Sequence, residues 1–181
     1  MKRCLIVVDY QNDFVIGSLG FKAAELLESR IAEKTEEYRT NGDDVIFTLD
    51  THGFNYLETY EGKHLPVKHC INGTDGHSLY GKVGKIKAES DRVFLKNTFG
   101  SDDLYMYLKK NNYSSIELVG VVTNICVISN AVLAKTAQPE TEITIDASCV
   151  ASNDEYLNEA ALRVMESLQI NITNKGGKEN G

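Results

Sequence analysis

The chain has 181 residues, enough for one domain with a full core, and its net charge of −7 argues against a non-specific nucleic-acid binder, which carries a basic patch. Apolar residues make up 42% and charged residues 25%, ordinary for a globular domain, and no apolar run approaches the roughly 20 residues of a membrane helix. The opening MKRCLIVVDYQNDF reads as a first strand rather than a secretory signal, because Asp9 interrupts its apolar run after Val8. Cys4, Cys70, Cys126 and Cys149 form no C-x-x-C pair. Reduced thiols in a cytoplasmic protein are expected, with Cys4 and Cys149 as small buried residues.

In chain order, residues 3–9 are short, apolar and β-branched, a buried strand. Residues 23–39 carry Ala23, Leu26, Leu27, Ile31 and Ala32 at helical spacing, with Asn41-Gly42 as the stop. A second strand covers 45–50. Residues 51–87 hold seven glycines or prolines at wide intervals and read as a long functional loop with a short helix near 78–80. A third strand covers 91–96, then a helix over 101–110 with Ser101 as its N-cap and Leu104 and Leu108 inward. A strand over 116–121 leads into a helix over 124–135. A fifth strand covers 142–146. The last helix, 154–167, turns Leu157, Ala160, Ala161, Val164 and Leu168 to one face, and 169–173 is a short final strand. One domain over 1–174 is expected, with a flexible tail over 175–181.

Strands alternating with helices predict a single three-layer α/β/α domain around a doubly wound, mainly parallel sheet. Ligands bind such sheets outside the carboxyl ends of the strands. Asp9, Asp50 and Lys96 each end a strand, and Cys126 lies just past another, near a helix start. Helix amides and a nearby cation favour thiolate over thiol. A thiol, a carboxylate and an ammonium at strand ends supply a nucleophile, a proton acceptor and a stabilising field. No histidine pairs obviously with Cys126, so Asp9 is the candidate base. Asp50 and His52 point to one side of an extended chain, and His69 follows seventeen residues on. A carboxylate with two imidazoles suits zinc, iron or manganese better than calcium or magnesium. Glu58 or Glu61 can add a ligand, while His64 and His77 are read as solvated. A Cys70–His69 hydrolase is a weaker reading, because adjacent residues on an extended chain point apart.

LIVVDYQNDFV, FTLDTH, LPVKHCINGTDG, FLKNTFGS and GVVTNICV occur in this order along the chain. Together they resemble the isochorismatase-like cysteine hydrolases, and most closely their nicotinamidase branch. The resemblance implies the isochorismatase-like hydrolase fold and an Asp–Lys–Cys triad, here Asp9, Lys96 and Cys126. It implies a metal site on Asp50, His52 and His69, with Glu61 as the best fourth candidate, and zinc ahead of iron or manganese. It further implies a cis peptide at Val121–Val122 that turns the Val122 amide to the substrate, an oxyanion hole of the Val122 and Cys126 amides, and substrate contacts from Phe14 and Val121.

The activity so implied is hydrolysis of nicotinamide to nicotinate and ammonia through a cysteine thioester, with another small amide or carbamoyl compound as the alternative. Expected partners are a small amide and other copies of the chain in a dimer or tetramer, with neither nucleic acid nor membrane. Three positions depart from the family pattern. Leu65-Pro66 stands where Trp-Pro is common, the stretch from Glu61 to His69 is one residue longer than in the version with a glutamate ligand, and Asn124 replaces an aspartate.

Overall fold

A computed structural model describes residues 1–175. In chain order the elements are β1 (Cys4–Val8), α1 (Asn12–Val15), α2 (Lys22–Glu25), α3 (Glu28–Thr40), β2 (Asp44–Asp50), α4 (Tyr60–His64), α5 (Gly81–Ile86), β3 (Arg92–Lys96), α6 (Asp102–Leu108), β4 (Ser115–Val121), α7 (Ile128–Ala137), β5 (Glu142–Ala151), α8 (Glu155–Ser167) and β6 (Asn171–Thr173). The strands form one sheet in the order β3-β2-β1-β4-β5-β6, and every pairing is parallel. Chain order reverses between β1 and its neighbours β2 and β4. That reversal opens a crevice at the carboxyl ends of β1 and β4.

Alternation along β1 builds two cores. Cys4, Ile6 and Val8 join the core that holds Leu104, Leu108, Val127, Ala131, Leu162 and Met165, from α6, the turn before α7, α7 itself and α8. Leu5 and Val7 join the opposite core with Phe14, Ala24, Ile31 and Val83, from α1, α2, α3 and α5. Helices therefore cover both faces, and β1 is buried throughout. Gly120 makes the close contact between β4 and β1 possible: its φ is +112°, and a Cβ there would collide with the Val8 carbonyl.

Several expectations change. The helix expected over 23–39 breaks at Leu26-Leu27 into α2 and α3, which leaves Leu26 exposed and Leu27 buried. Gly42 does end α3, with φ +75°. The long loop holds α4, α5 and short 3-10 turns at Tyr56–Glu58 and Asp75–His77, rather than a helix near 78–80. β5 runs five residues past Asp146, because the β4–β5 register shifts between Leu118 and Gly120 and resumes at Val150. On α8 the buried face is Ala161, Leu162 and Met165, while Leu157, Val164 and Leu168 are partly exposed. The helix lies rotated so that Met165, not Val164, fills the core. Asp154 and Ser101 cap α8 and α6, their side chains accepting from the Leu157 and Leu104 amides. Of the expected tail, Lys175 pairs with Glu166, and 176–181 lie outside the described residues.

Candidate active site

The end of β1 delivers Asp9 with φ +45°, fully buried. Its Oδ1 accepts a hydrogen bond from the Thr48 hydroxyl at 2.7 Å, and its amide donates to the Thr48 carbonyl at 3.1 Å. β2 and β3 run in register with Asp50 beside Lys96. Lys96 Nζ thereby reaches Asp9 Oδ2 at 2.6 Å, Asp50 Oδ1 at 3.4 Å and Cys126 Sγ at 3.6 Å, and donates to the Thr98 carbonyl at 2.9 Å. The ammonium approaches Asp9 Oδ2 off the ideal hydrogen-bond direction, so this oxygen is held by charge and has no well-aligned hydrogen bond of its own. Asp9, Lys96 and Cys126 thus meet on three separate strand ends.

Cys126 sits inside a π-helical turn, Thr123–Val127, that precedes α7. The turn follows a cis Val121–Val122 peptide, as the resemblance implies. The Val122 carbonyl accepts from the Ile125 and Val127 amides at 3.0 and 3.1 Å. Asn130 fixes the turn from one helical turn on: its Nδ2 donates to the Cys126 carbonyl at 2.8 Å and to the Phe99 carbonyl at 3.1 Å. Asn124 Oδ1 accepts from the Ser152 hydroxyl at 2.6 Å, tying the turn to the end of β5.

Electrostatics revise one expectation. Burial and the Asp9 carboxylate push the Cys126 thiol well above its ordinary pKa, outweighing Lys96. Helix position and the cation favour thiolate, but burial, with only 5% of the residue exposed, works in the opposite direction and favours the thiol. Burial also raises Asp9, against the lowering pull of Lys96. Burial by itself would lower Lys96, but Asp9, Cys126 and Asp50 outweigh it and keep the ammonium charged. A carboxylate moved up towards neutrality beside a neutral thiol suits proton exchange between the two.

The second cluster lies beside the first. Asp50 Oδ2 is 2.9 Å from His52 Nε2 and 3.3 Å from His69 Nε2, and Glu61 Oε1 is 3.8 and 3.7 Å from the same two nitrogens. The strand-like stretch around Cys70 brings the imidazoles together: the His52 amide donates to the Cys70 carbonyl at 3.0 Å, and His52 pairs with Ile71. His69 Nδ1 donates to the Val67 carbonyl at 2.8 Å, which leaves Nε2 as the acceptor facing the cluster. The ring of Tyr56, fully buried, packs on both imidazoles at 4.6 and 4.9 Å, and its hydroxyl donates to the Leu65 carbonyl at 3.0 Å. Ligands about 2.0–2.1 Å from one tetrahedral cation stand roughly 3.3 Å apart. The Asp50, His52 and His69 atoms all lie within 4.8 Å of one another, so the donor set fits a cation. Burial and the Asp50 charge raise the Glu61 pKa, as expected of a carboxylate facing another carboxylate.

Both clusters open into one cavity of about 200 Å³, lined by Cys126, Val122, Asp50, Glu61, His69 and Phe14 among others. Val121, expected to touch substrate, is fully buried behind it in the core; Val122 forms the wall instead. Glu58 is exposed and outside the cluster. His64 is exposed, whereas His77 is half-buried and bonded to the Thr51 hydroxyl at 2.8 Å. Cys70 is fully buried and, unlike Cys126, does not line this cavity. Gln11, which bonds the Asp50 backbone, Thr48, Tyr56, Asn130 and Asn153, which lines the cavity, were missed. Period-two alternation in β2 puts Thr48 on the side of Asp50, a signal that was available. The other four are placed by contacts distant in sequence.

The isochorismatase domain family model matches residues 3–175. A Bacillus subtilis protein described as an uncharacterized isochorismatase family protein, PncA, is 34% identical over 143 residues, which are 73% of this chain and 78% of the relative. The crystal structure of a nicotinamidase/pyrazinamidase PncA from Bacillus subtilis superposes with a TM-score of 0.86 at 30% identity, covering 96% of this chain and all of that one, 100%. A Pyrococcus horikoshii pyrazinamidase solved in complex with zinc has the same fold, with a TM-score of 0.84 at 24% identity over 97% of this chain and 100% of that chain. This chain belongs to the isochorismatase family and is an amide hydrolase.

Proposed function

We propose that the enzyme hydrolyses nicotinamide to nicotinate and ammonia, with Cys126 as nucleophile and Asp9 as general base and acid. One observation carries this reading: Asp9, Lys96 and Cys126 meet beside the Asp50–His52–His69 cluster at a single cavity of about 200 Å³. That volume is below the roughly 300–1,000 Å³ of a drug-sized site and suits one ring with one carboxamide. Similarity to nicotinamidases supports the same substrate.

Asp50, His52, His69 and Glu61 are the residues that would hold a divalent cation, zinc ahead of iron or manganese. When bound, it supplies a Lewis-acid anchor for the ring nitrogen. Asp9 takes the Sγ proton as Sγ attacks the carbonyl carbon. The Val122 and Cys126 amides stabilise the oxyanion, and Phe14 packs on the ring. Collapse breaks the C–N bond, and Asp9 gives its proton to the departing ammonia, leaving a thioester on Cys126. Asp9 then deprotonates a water that attacks the thioester. Nicotinate leaves and the proton returns through Asp9 to Sγ. Lys96 keeps its charge throughout and holds Asp9 in place between the two half-reactions.

The test is ammonia release from nicotinamide by purified, zinc-loaded protein. Turnover that disappears in Cys126→Ala supports the reading. A panel of other primary amides and carbamoyl amines separates nicotinamide from the alternative substrates, and silence with nicotinamide but turnover of a carbamoyl amine would overturn the proposal.

A further inference from the structure

A second cavity of about 670 Å³ adjoins the reaction cavity. The two share Glu61, Leu65, Phe99 and Ile125 in their linings. Leu65 and Ile125 are 38% exposed and Phe99 is 46% exposed, so the apolar part of this partition, beside Glu61, keeps open surface. Apolar surface left open between two adjoining concavities is what a ligand spanning both would bury.

The outer cavity has a definite chemical character. Asn55, Asn97 and Thr98 line it, and among the described residues their side chains have no hydrogen-bond partner in the protein. Among the described residues no lysine or arginine lines it; Glu61 does, and its two imidazoles, His52 beside Asp50 and His64 bonded through Nδ1 to the Tyr60 carbonyl, are already engaged, so an anionic group would meet neither ammonium nor guanidinium there. An apolar partition followed by neutral donors and acceptors matches a short alkyl chain ending in a hydroxyl.

Resting on the nicotinamide reading, we infer that the outer cavity is a substrate subsite, and that the enzyme accepts ring carboxamides bearing a neutral hydroxyalkyl arm. Leu65 is its specificity-determining residue, since it lines both cavities and remains 38% exposed between them. Ring carbon 5 of nicotinamide is meta to both the ring nitrogen and the carboxamide-bearing carbon, so an arm there leaves both anchored groups undisturbed.

The experiment compares kcat/KM for nicotinamide, 5-(3-hydroxypropyl)nicotinamide and 5-(2-carboxyethyl)nicotinamide with wild-type enzyme. The hydroxypropyl compound is expected within about tenfold of nicotinamide and at least about tenfold above the carboxyethyl compound. In Leu65→Trp, which adds bulk between the two cavities, the ratio of hydroxypropyl compound to nicotinamide falls about tenfold or more. Asn55→Ala/Asn97→Ala lowers the same ratio without adding bulk, a second variant independent of how tryptophan packs. Hydrolysis of nicotinamide with rejection of both arm-bearing amides overturns the subsite and leaves the functional reading standing. An unchanged ratio in both variants also overturns it. Failure to hydrolyse nicotinamide removes the functional reading, and the subsite falls with it.

Discussion

Gln11 and Asp50 exchange two hydrogen bonds: the Asp50 amide donates to Gln11 Oε1 at 2.8 Å, and Gln11 Nε2 donates to the Asp50 carbonyl at 2.9 Å. The same Nε2 reaches the His77 carbonyl at 2.8 Å. A fully buried side-chain amide therefore continues the pairing of β1 with β2 past the last strand residue and sets where the Asp50 carboxylate points. Gln11→Leu takes this partner from the Asp50 amide and from the Asp50 and His77 carbonyls. We expect a stability loss of roughly 2–4 kcal/mol and cation affinity weakened about 10–100-fold. Urea unfolding and equilibrium dialysis against zinc measure the two effects; unaltered zinc affinity would refute the positioning role.

Asp9→Asn keeps the shape of the base and removes its charge. Its kcat should fall roughly 10²–10⁴-fold. Cys126→Ala should lose about 10³-fold or more, with far-UV circular dichroism unchanged. Combining the two should cost little beyond the worse single variant, because both serve one proton transfer. Additive losses in kcat would separate their roles and contradict the mechanism.

Protein dialysed against a chelator and reloaded should take up one zinc per chain. A free-metal concentration a thousandfold above Kd should raise the Tm by roughly 8–16 °C. His69→Ala should abolish both the uptake and the shift. Elemental analysis and differential scanning calorimetry decide the point, and an equal shift in His69→Ala would rule the cluster out as the site.

Asp146 gives a pH-dependent contribution away from the catalytic centre. Burial alone would raise its pKa, but the Ser148 hydroxyl at 2.7 Å, the Ser148 amide at 2.9 Å and Lys34 Nζ at 2.9 Å outweigh it and bring it down to about 2. A depressed folded-state pKa stabilises the protein above the unfolded value, near pH 4, and that contribution is lost as pH falls through about 2. Asp146→Asn should therefore be less stable by about 2 kcal/mol at pH 7, and the gap should close between about pH 4 and pH 2. Urea unfolding of both proteins across this range tests it; a gap constant with pH would assign the loss to packing.

Much of the candidate site was legible because its residues sit where short apolar runs stop. A carboxylate after Val8, a lysine after Leu95 and a cysteine just past Val121 are unusual strand ends, and parallel topology brings such ends together. The faces of helices were less legible. Leu26 and Leu27 both satisfy a helical repeat, and only the break between α2 and α3 chooses Leu27 for the core. On α8, Val164 and Met165 compete for one position, and packing against α7 and the sheet selects Met165.

The amino-acid order by itself determined the alternating α/β layout and singled out Asp9, Lys96 and Cys126 and the Asp50–His52–His69 set as candidates, because strand ends and short spacings are local properties. Tertiary structure alone decided that burial pushes the Cys126 thiol pKa up, since that depends on how completely the fold removes it from water. It also decided that Glu61 faces both imidazoles, that Tyr56 braces them and that Val122 rather than Val121 forms the cavity wall. Each of these depends on a loop folding back over the sheet, and no periodicity in the sequence encodes where such a loop comes to rest.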